Sequence, residues 1–494
     1  LDEKSRNESM SSIDISAILP RYLRERPRRS SEHEGAKKAV ASDGDAPVVG
    51  RVHWVPGFVA MPGYTKIAAM KDELLRQGLF AMDVASEIPV LALLDSEGGV
   101  SSGKNVNVCT HGTARTKGPL RVLDMCCAPG GKLLSLFDKL GARDTLDGVD
   151  TNLTRLETCR ALVARQLARA PADDDCGPVM RIFHCDARAF VRGEGGAGTA
   201  AHTSCKQGGS RSSPPPPPSL LFESSPTHRA SGLPVNKSGR ARERKRLRAV
   251  CDEWAANPDV RGDYDRVLVD AECTHDGSYR HMKFVELEDN PVDGADHGGA
   301  GALRKSAAAV HYWDLDRQAG ICALQGELLR GGYRALKPGG ELVYSTCSLE
   351  ERQNEDVVRS FLASEDSAEL VPLDAFVRQG GYGADEDEGE ERGGDREGVM
   401  SALMGDEEAL RRWLECNDEE ACGSAGVEVE LRQRRLEQCA DAVLAYVTEH
   451  LHGPRGVPGS LAGTVRFDRR SATSGLFVAK VRKRASVVGD ATYT

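Results

Sequence analysis

An α/β fold built on a parallel sheet is what the sequence predicts, and three observations predict it. Short apolar runs at 120–125, 146–149, 179–184, 267–269 and 341–344 alternate with stretches of helical length. The first run leads through Pro129-Gly130-Gly131 directly into a helix. Acidic and cysteine residues sit just past the ends of the runs, at Asp150, Asp186, Asp270, Cys273 and Cys347. Open parallel sheets place their ligands at those ends.

The elements follow in order. Residues 1–49 are polar and rich in Arg, Ser and Glu, and are expected to be disordered apart from a short amphipathic piece, Ile13 to Leu23. Residues 50–118 are expected to form an N-terminal helical, substrate-binding segment. Within it, Phe80 to Leu93 carries apolar residues at helical spacing, and a Gly-rich excursion follows at 95–118. The catalytic domain is expected to occupy 119–375 and 431–483. Its strand at Leu120 to Met125 is followed by a helix from Lys132 to Leu140, a strand from Leu146 to Val149, a helix from Leu153 to Leu167 and a strand from Val179 to His184.

The pattern breaks at 192–239, where Gly, Ser and the run Pro214 to Pro218 argue for a low-complexity, disordered insertion. It resumes with an Arg-rich helix, Arg240 to Trp254, and the strand Val267 to Val269. After a loop at 284–302, a long helix from Trp313 to Leu336 runs into the turn Lys337-Pro338-Gly339-Gly340 and the strand Glu341 to Tyr344. Residues 376–430 read as an acidic insertion, and Gly475 to Val481 closes the chain as an alternating strand.

Composition narrows the classes. The 494 residues are 40% hydrophobic, enough for a sizeable core, while 5% aromatics and 52 glycines point to insertions. The net charge of -10 argues against a uniformly basic nucleic-acid binder, although local basic clusters still serve phosphate contacts. Fourteen cysteines are scattered without a CxxC pair or a preceding signal peptide, so neither structural zinc nor a disulfide framework is expected. No apolar run reaches the roughly 18–20 residues that span a bilayer.

The chemistry lies at the strand ends. A strand, Pro-Gly-Gly and a helix start make a tight turn whose bare backbone approaches a ligand closely and offers free amide donors. Asp150 is placed to accept from ribose hydroxyls, and Asp186 from an adenine amino group. An amino-acid-bearing nucleoside, S-adenosyl-L-methionine, satisfies all three features. Cys126, Cys127, Ala128, Pro129, Gly130, Gly131 and Lys132 form the loop, with Arg155 and Asp270 added to the cofactor-binding set. Methylating carbon 5 of a pyrimidine needs a thiolate at carbon 6 and then a base for the carbon 5 proton. Cys347 and Cys273, past neighbouring runs, supply a nucleophile and a group assisting release. The bland reading, small buried thiols, is accepted for Cys159, Cys176, Cys185, Cys322 and Cys439.

From about 78 to 359, with an echo at 465–483, the chain resembles the Sun-type (Fmu/Nop2/Sun) RNA 5-methylcytosine methyltransferases. Asp124 to Lys132 is similar to the family's Asp-x-Cys-Ala-Ala-Pro-Gly-Gly-Lys loop, and Ser345-Thr346-Cys347-Ser348 matches its nucleophile motif. Gln353-Asn354-Glu355 stands where the family has Glu-Asn-Glu, and Gly475 to Lys480 resembles its closing strand. The resemblance implies a class I, Rossmann-like, S-adenosylmethionine-dependent fold. It also implies that Cys347 forms a covalent adduct with cytosine, that Cys273 assists its breakdown, and that Lys132 and Asp270 polarise the ring. Where the family reads Asp-Ala-Pro-Cys-Ser-Gly, this chain has Asp270-Ala271-Glu272-Cys273-Thr274-His275. Glu272 there either bonds the cytosine edge or points to solvent. Asp276 to Arg280 hints at tRNA.

Structured tRNA or rRNA is therefore the expected partner, met by a monomer, with Tyr279 and His281 as candidate base neighbours. The cluster Arg240 to Arg248 suggests phosphate contacts or a nuclear or nucleolar address, against a solvated helix face with Leu247, Val250 and Trp254 turned inward. A non-catalytic RNA-binding scaffold is the alternative reading. A DNA methyltransferase is disfavoured because its Pro-Cys and Glu-Asn-Val pattern is missing.

Overall fold

A computed structural model describes residues 18–25, 50–95 (except 68, 71–73 and 75–77), 118–167, 177–190, 218–224, 233–256 (except 235), 264–278, 315–377, 425–450 and 456–485 (except 469–470). The amphipathic piece before residue 18, the loop 284–302, Tyr279, His281 and most of both expected insertions lie outside them.

A small antiparallel sheet comes first, where a disordered segment and a helical one were expected. It consists of β1 (Arg21–Glu25), β2 (Gly50–Arg51), β3 (Phe58–Met61) and β4 (Leu79–Ala81), in the order β2-β3-β1-β4. Period-two alternation makes the sheet two-sided. Tyr22, Phe58 and Ala60 face the main core, while Leu23, Val59 and Met61 pack with Leu74 and Leu79. Phe80 thus belongs to a strand, not to the expected helix. The helix α1 (Ile88–Leu94) starts later, after a 3-10 turn over Val84–Glu87 in which Ala85 N donates to Asp83.

The main sheet is assembled from β5 (Arg121–Asp124), β6 (Thr145–Asp150), β7 (Val179–His184), β8 (Ser219–Glu223), β9 (Tyr264–Asp270), β10 (Leu336–Thr346), β11 (Ala368–Val371), β12 (Val457–Pro458), β13 (Val465–Phe467) and β14 (Leu476–Lys483). Its order is β12-β13-β14-β10-β9-β5-β6-β7-β8, with β11 also paired to β14. The neighbours β7, β6, β5, β9 and β10 are parallel, and β14 runs against β10. From β5 the chain winds outward to β6 and β7, then returns to β9 on the other side of β5. The sheet therefore switches direction between β5 and β9, and a crevice opens above their carboxyl ends.

The helices are α2 (Gly131–Lys139), α3 (Leu153–Leu167), the short α4 (Ala187–Phe190), α5 (Lys237–Ala256), α6 (Leu315–Ala335), α7 (Glu355–Ser364) and α8 (Ala425–Ala445). α2 buries Leu133, Leu134, Leu136 and Phe137 against the sheet, each contributing about 1.5–3 kcal/mol of apolar burial. None of the described helices is long and apolar enough to cross a membrane.

Three further departures have local causes. The expected insertion 192–239 contains β8, because Leu220 and Phe222 bury their side chains and pair antiparallel with β7. The expected turn 337–340 is an irregularity inside β10, where the register with β9 slips between Leu336 and Glu341 and Gly339 takes φ +81°. Helix α8 begins at Ala425, inside the expected acidic insertion.

Candidate active site

Two loops meet above the switch point. The first runs from Asp124 at the end of β5 to α2. Gly130 precedes that helix at φ +107°, and a Cβ there would lie 2.8 Å from Cys159 Sγ. The loop is pinned from outside: Ala128 N donates to Asp150 Oδ2 (3.2 Å) and Arg155 Nη2 donates to the Ala128 carbonyl (2.6 Å). Arg155 is exposed and grips the backbone of the loop. Burial holds the Cys126 and Cys127 thiols well above their ordinary values, so both stay neutral.

Asp186 follows β7 and is held by Arg188, whose Nη2 lies 2.7 Å from Oδ2, while Arg188 Nη1 reaches Glu327. Any contact it makes to a base must share those oxygens with Arg188. Asp124 differs. It accepts from Cys126 N (3.3 Å) through Oδ1, but its Oδ2 is buried without a partner. Burial, with Asp270 nearby, pushes its carboxyl up to about 8. An orphaned, proton-holding carboxyl beside a glycine turn fits a ligand that brings an ammonium group, which S-adenosylmethionine does.

At the crevice itself Lys132, on α2, donates to Asp270 Oδ2 at 2.8 Å, and Ser345 Oγ donates to Asp270 Oδ1 at 2.7 Å. Burial alone would lower the Lys132 ammonium, but Asp270 outweighs it and the net shift is upward. Lys132 therefore stays charged.

The two cysteines come together from adjacent strands. Cys273 Sγ lies 3.3 Å from Cys347 Sγ, and His275 Nδ1 lies 3.0 Å from Cys347 Sγ and 3.7 Å from Cys273 Sγ. Two thiols at this distance cannot both ionise easily, so the pair shares one proton. The hydrogen bond from Cys347, helped by His275, lowers Cys273 to about 6, and the same bond pushes Cys347 up. At rest the pair holds one proton and one negative charge.

Residues that the sequence placed in a motif, without giving them a role, hold this arrangement. Gln353 accepts from Thr274 N (3.1 Å) and donates to Thr274 Oγ1 (2.8 Å). Asn354 accepts from Thr346 Oγ1 (2.5 Å) and donates to the Ser348 carbonyl (2.9 Å). Glu355, fully buried, pairs with Arg466 on β13. Backbone bonds stitch three segments together: Gly277 N to the Cys347 carbonyl at 2.9 Å, and Gly475 N to the Gly277 carbonyl at 2.7 Å. The side chain of Glu272 is exposed, and its carbonyl accepts from Gln325 Nε2 at 2.8 Å. The basic helix α5 buries Leu247 and Trp254 and pairs Arg246 with Glu223, leaving Arg240, Arg242, Arg244, Lys245 and Arg248 exposed.

Comparison with known proteins bears on the same region. A family model for 16S rRNA methyltransferase RsmB/F matches residues 295–389. The ribosomal RNA small subunit methyltransferase F of Shewanella loihica is 47% identical over 60 residues, 12% of each chain. That of Klebsiella pneumoniae is 42% identical over 102 residues, 20% of this chain and 21% of the relative. The aligned part of this chain thus spans between 12% and 23% of these curated relatives. A solved methyltransferase homolog protein from Pyrococcus horikoshii gives a TM-score of 0.44 at 17% identity, covering 95% of this chain and 88% of that one. NSun6 from Pyrococcus horikoshii, solved with SFG, gives 0.37 at 14%, covering 82% and 53%.

The strand order defines the fold class, α/β with a parallel central sheet. Over the matched stretches, each under a quarter of its length, the chain is similar to the RsmB/F-type ribosomal RNA methyltransferases. The curated relatives named above are bacterial, and they lend no support to the expected nuclear or nucleolar address.

Proposed function

We propose that this protein methylates carbon 5 of cytosine in structured RNA, tRNA or rRNA, through a covalent adduct on Cys347. One observation carries the proposal: two sulfurs 3.3 Å apart at the ends of adjacent strands, beside a half-buried Lys132–Asp270 pair. An unpaired cytosine extruded into the crevice would lie against the two sulfurs, with its edge toward Lys132 and Asp270. Lys132 and Asp270 would hold the ring edge and take up the charge that develops on it as Cys347 Sγ adds to carbon 6. S-adenosylmethionine, when bound, supplies the electrophilic methyl group. The loop 126–131, Asp124 and Asp150 would bind it with its methyl end toward the crevice. Asp186 would meet the adenine end, and Arg155 would serve by fixing the loop. Cys273 would take the carbon 5 proton so that the bond from carbon 6 to Cys347 can break.

In this reading 119–375 and 431–483 form the catalytic domain, and the small N-terminal sheet positions the RNA. The exposed cations of α5 would contact phosphates. Glu272 plays no part in reading the base.

The test is nucleoside mass spectrometry after incubating the protein with S-adenosylmethionine and unmodified tRNA or rRNA. New 5-methylcytosine, lost on Cys347→Ala, is expected. Tight S-adenosylmethionine binding without methylation of either RNA would favour a non-catalytic scaffold.

A further inference from the structure

We propose that His275 is a catalytic proton acceptor for the cysteine pair, draining the one proton that two neighbouring thiols would otherwise keep between them. The inference rests on the methyltransferase reading above and deepens it.

The need arises from the chemistry already described. Cys347 must be a thiolate to add to carbon 6, and Cys273 must be a thiolate to accept the carbon 5 proton. Both must therefore be deprotonated within one turnover. Sulfurs 3.3 Å apart keep one proton between them, so a third group has to take it.

His275 occupies the required place. Its Nδ1 is within hydrogen-bonding reach of Cys347 Sγ at 3.0 Å and sits 3.7 Å from Cys273 Sγ. All three donor atoms lie within 4.8 Å of one another. The residue is exposed, so a proton captured from the pair can pass to solvent. Its backbone takes φ +58°, the left-handed region that strains a residue with a Cβ and costs a glycine almost nothing. The chain carries that strain at the position where the Sun-type pattern has glycine. Other charges face the imidazole as well. Asp270 favours its protonated form and Arg155 opposes it, while Lys132 acts on Cys347 from α2. Asp276, on the same loop, is engaged by Thr274 and by Leu349 N.

The proton count closes. Cys347 gives its thiol proton to His275 Nδ1, and its sulfur bonds to carbon 6. The methyl group leaves the sulfonium sulfur and bonds to carbon 5. Cys273 thiolate takes the carbon 5 proton, the ring double bond re-forms, and the carbon 6–sulfur bond breaks with its electron pair returning to Cys347. The proton on Cys273 passes to Cys347, and the imidazolium releases one proton to solvent. The net loss is the single carbon 5 proton.

The test needs no RNA. Iodoacetamide alkylation of Cys273 and Cys347, followed by peptide mass spectrometry across pH, reports when the pair becomes reactive. His275→Gly frees the left-handed backbone, and His275→Asn tolerates it while keeping a polar group that does not titrate. Both variants are expected to fold, and both should move the alkylation midpoint upward by at least about one pH unit. A midpoint in either variant coinciding with that of the wild type would overturn the proposal. Wild-type protein that fails to methylate RNA would sink the proposed function and leave the alkylation result standing.

Discussion

At Asp124 a single buried oxygen would connect folding to the proposed cofactor binding. Its Oδ2 has no partner, and its carboxyl is raised from 3.8 to about 8. A folded value above the unfolded one means that the native state binds the extra proton. The corresponding stability is fully present below about pH 4 and is lost as pH rises toward 8. Urea midpoints of the cofactor-free protein should therefore fall across that window, and Asp124→Asn should flatten the fall. Identical slopes in the two proteins would refute this. Lys132→Met should lower the rate of methyl transfer by about 100-fold or more, since it strips the ring-facing charge and strands Asp270. Single-turnover rates check it, and a change under about threefold would remove Lys132 from the mechanism. Cys347, Cys273, Lys132 and Asp270 were all legible in the sequence because each stands at a motif on a strand or helix end. His275 was not. Its signal, a histidine two places after a cysteine where a glycine is expected, acquires meaning only once the left-handed turn aims the ring at the other strand's thiol.

Element by element, the ends of β5, β9 and β10 set the register of the chemistry, and glycines let them approach. A Cβ on Gly277 would fall 2.6 Å from the Cys347 carbonyl and 2.9 Å from Gly475 Cα, both backbone atoms that cannot yield. Gly277→Ala should push the nucleophile loop out of place, lowering turnover at least about tenfold while S-adenosylmethionine affinity, measured by calorimetry, holds. Loss of both together would mean that the crossing supports the whole sheet and not the nucleophile alone. Strands β5, β6, β7, β9 and β10 were readable because each holds a short apolar run between turn signals, as central parallel strands do. The stitching of Cys347 to Gly277 to Gly475 was not, since it joins loops distant in sequence through backbone atoms that leave no side-chain pattern. The same holds for β8, whose Leu220 and Phe222 lie directly after a proline run that argues for disorder.

Over the whole molecule, the small sheet is bolted to the main-sheet domain by a buried charge cluster. Arg24 on β1 pairs with Asp138 on α2 at 2.7 Å and lies 3.5 Å from Glu87, which also receives Ser135 Oγ at 2.7 Å and Lys139 at 2.9 Å. Tyr22 Oη adds a bond to the Ala472 carbonyl at 2.6 Å. Removing Arg24 leaves two carboxylates buried and underpaired, so Arg24→Ala should cost about 3–5 kcal/mol in chemical denaturation. A loss below about 1 kcal/mol would mean that the two units are not coupled through this cluster. Polar composition around Arg24 suggested disorder, because the partners that make its burial tolerable come from residues far along the chain.

The central claim is that two thiols share one covalent cycle on RNA, and a denaturing gel tests it most directly. Wild type, Cys273→Ala and the Cys273→Ala/Cys347→Ala double variant would each be mixed with tRNA or rRNA and S-adenosylmethionine. The account predicts a stable protein–RNA band in Cys273→Ala that disappears in the double variant. A band that persists without Cys347, or that forms equally in wild type and Cys273→Ala, would contradict it.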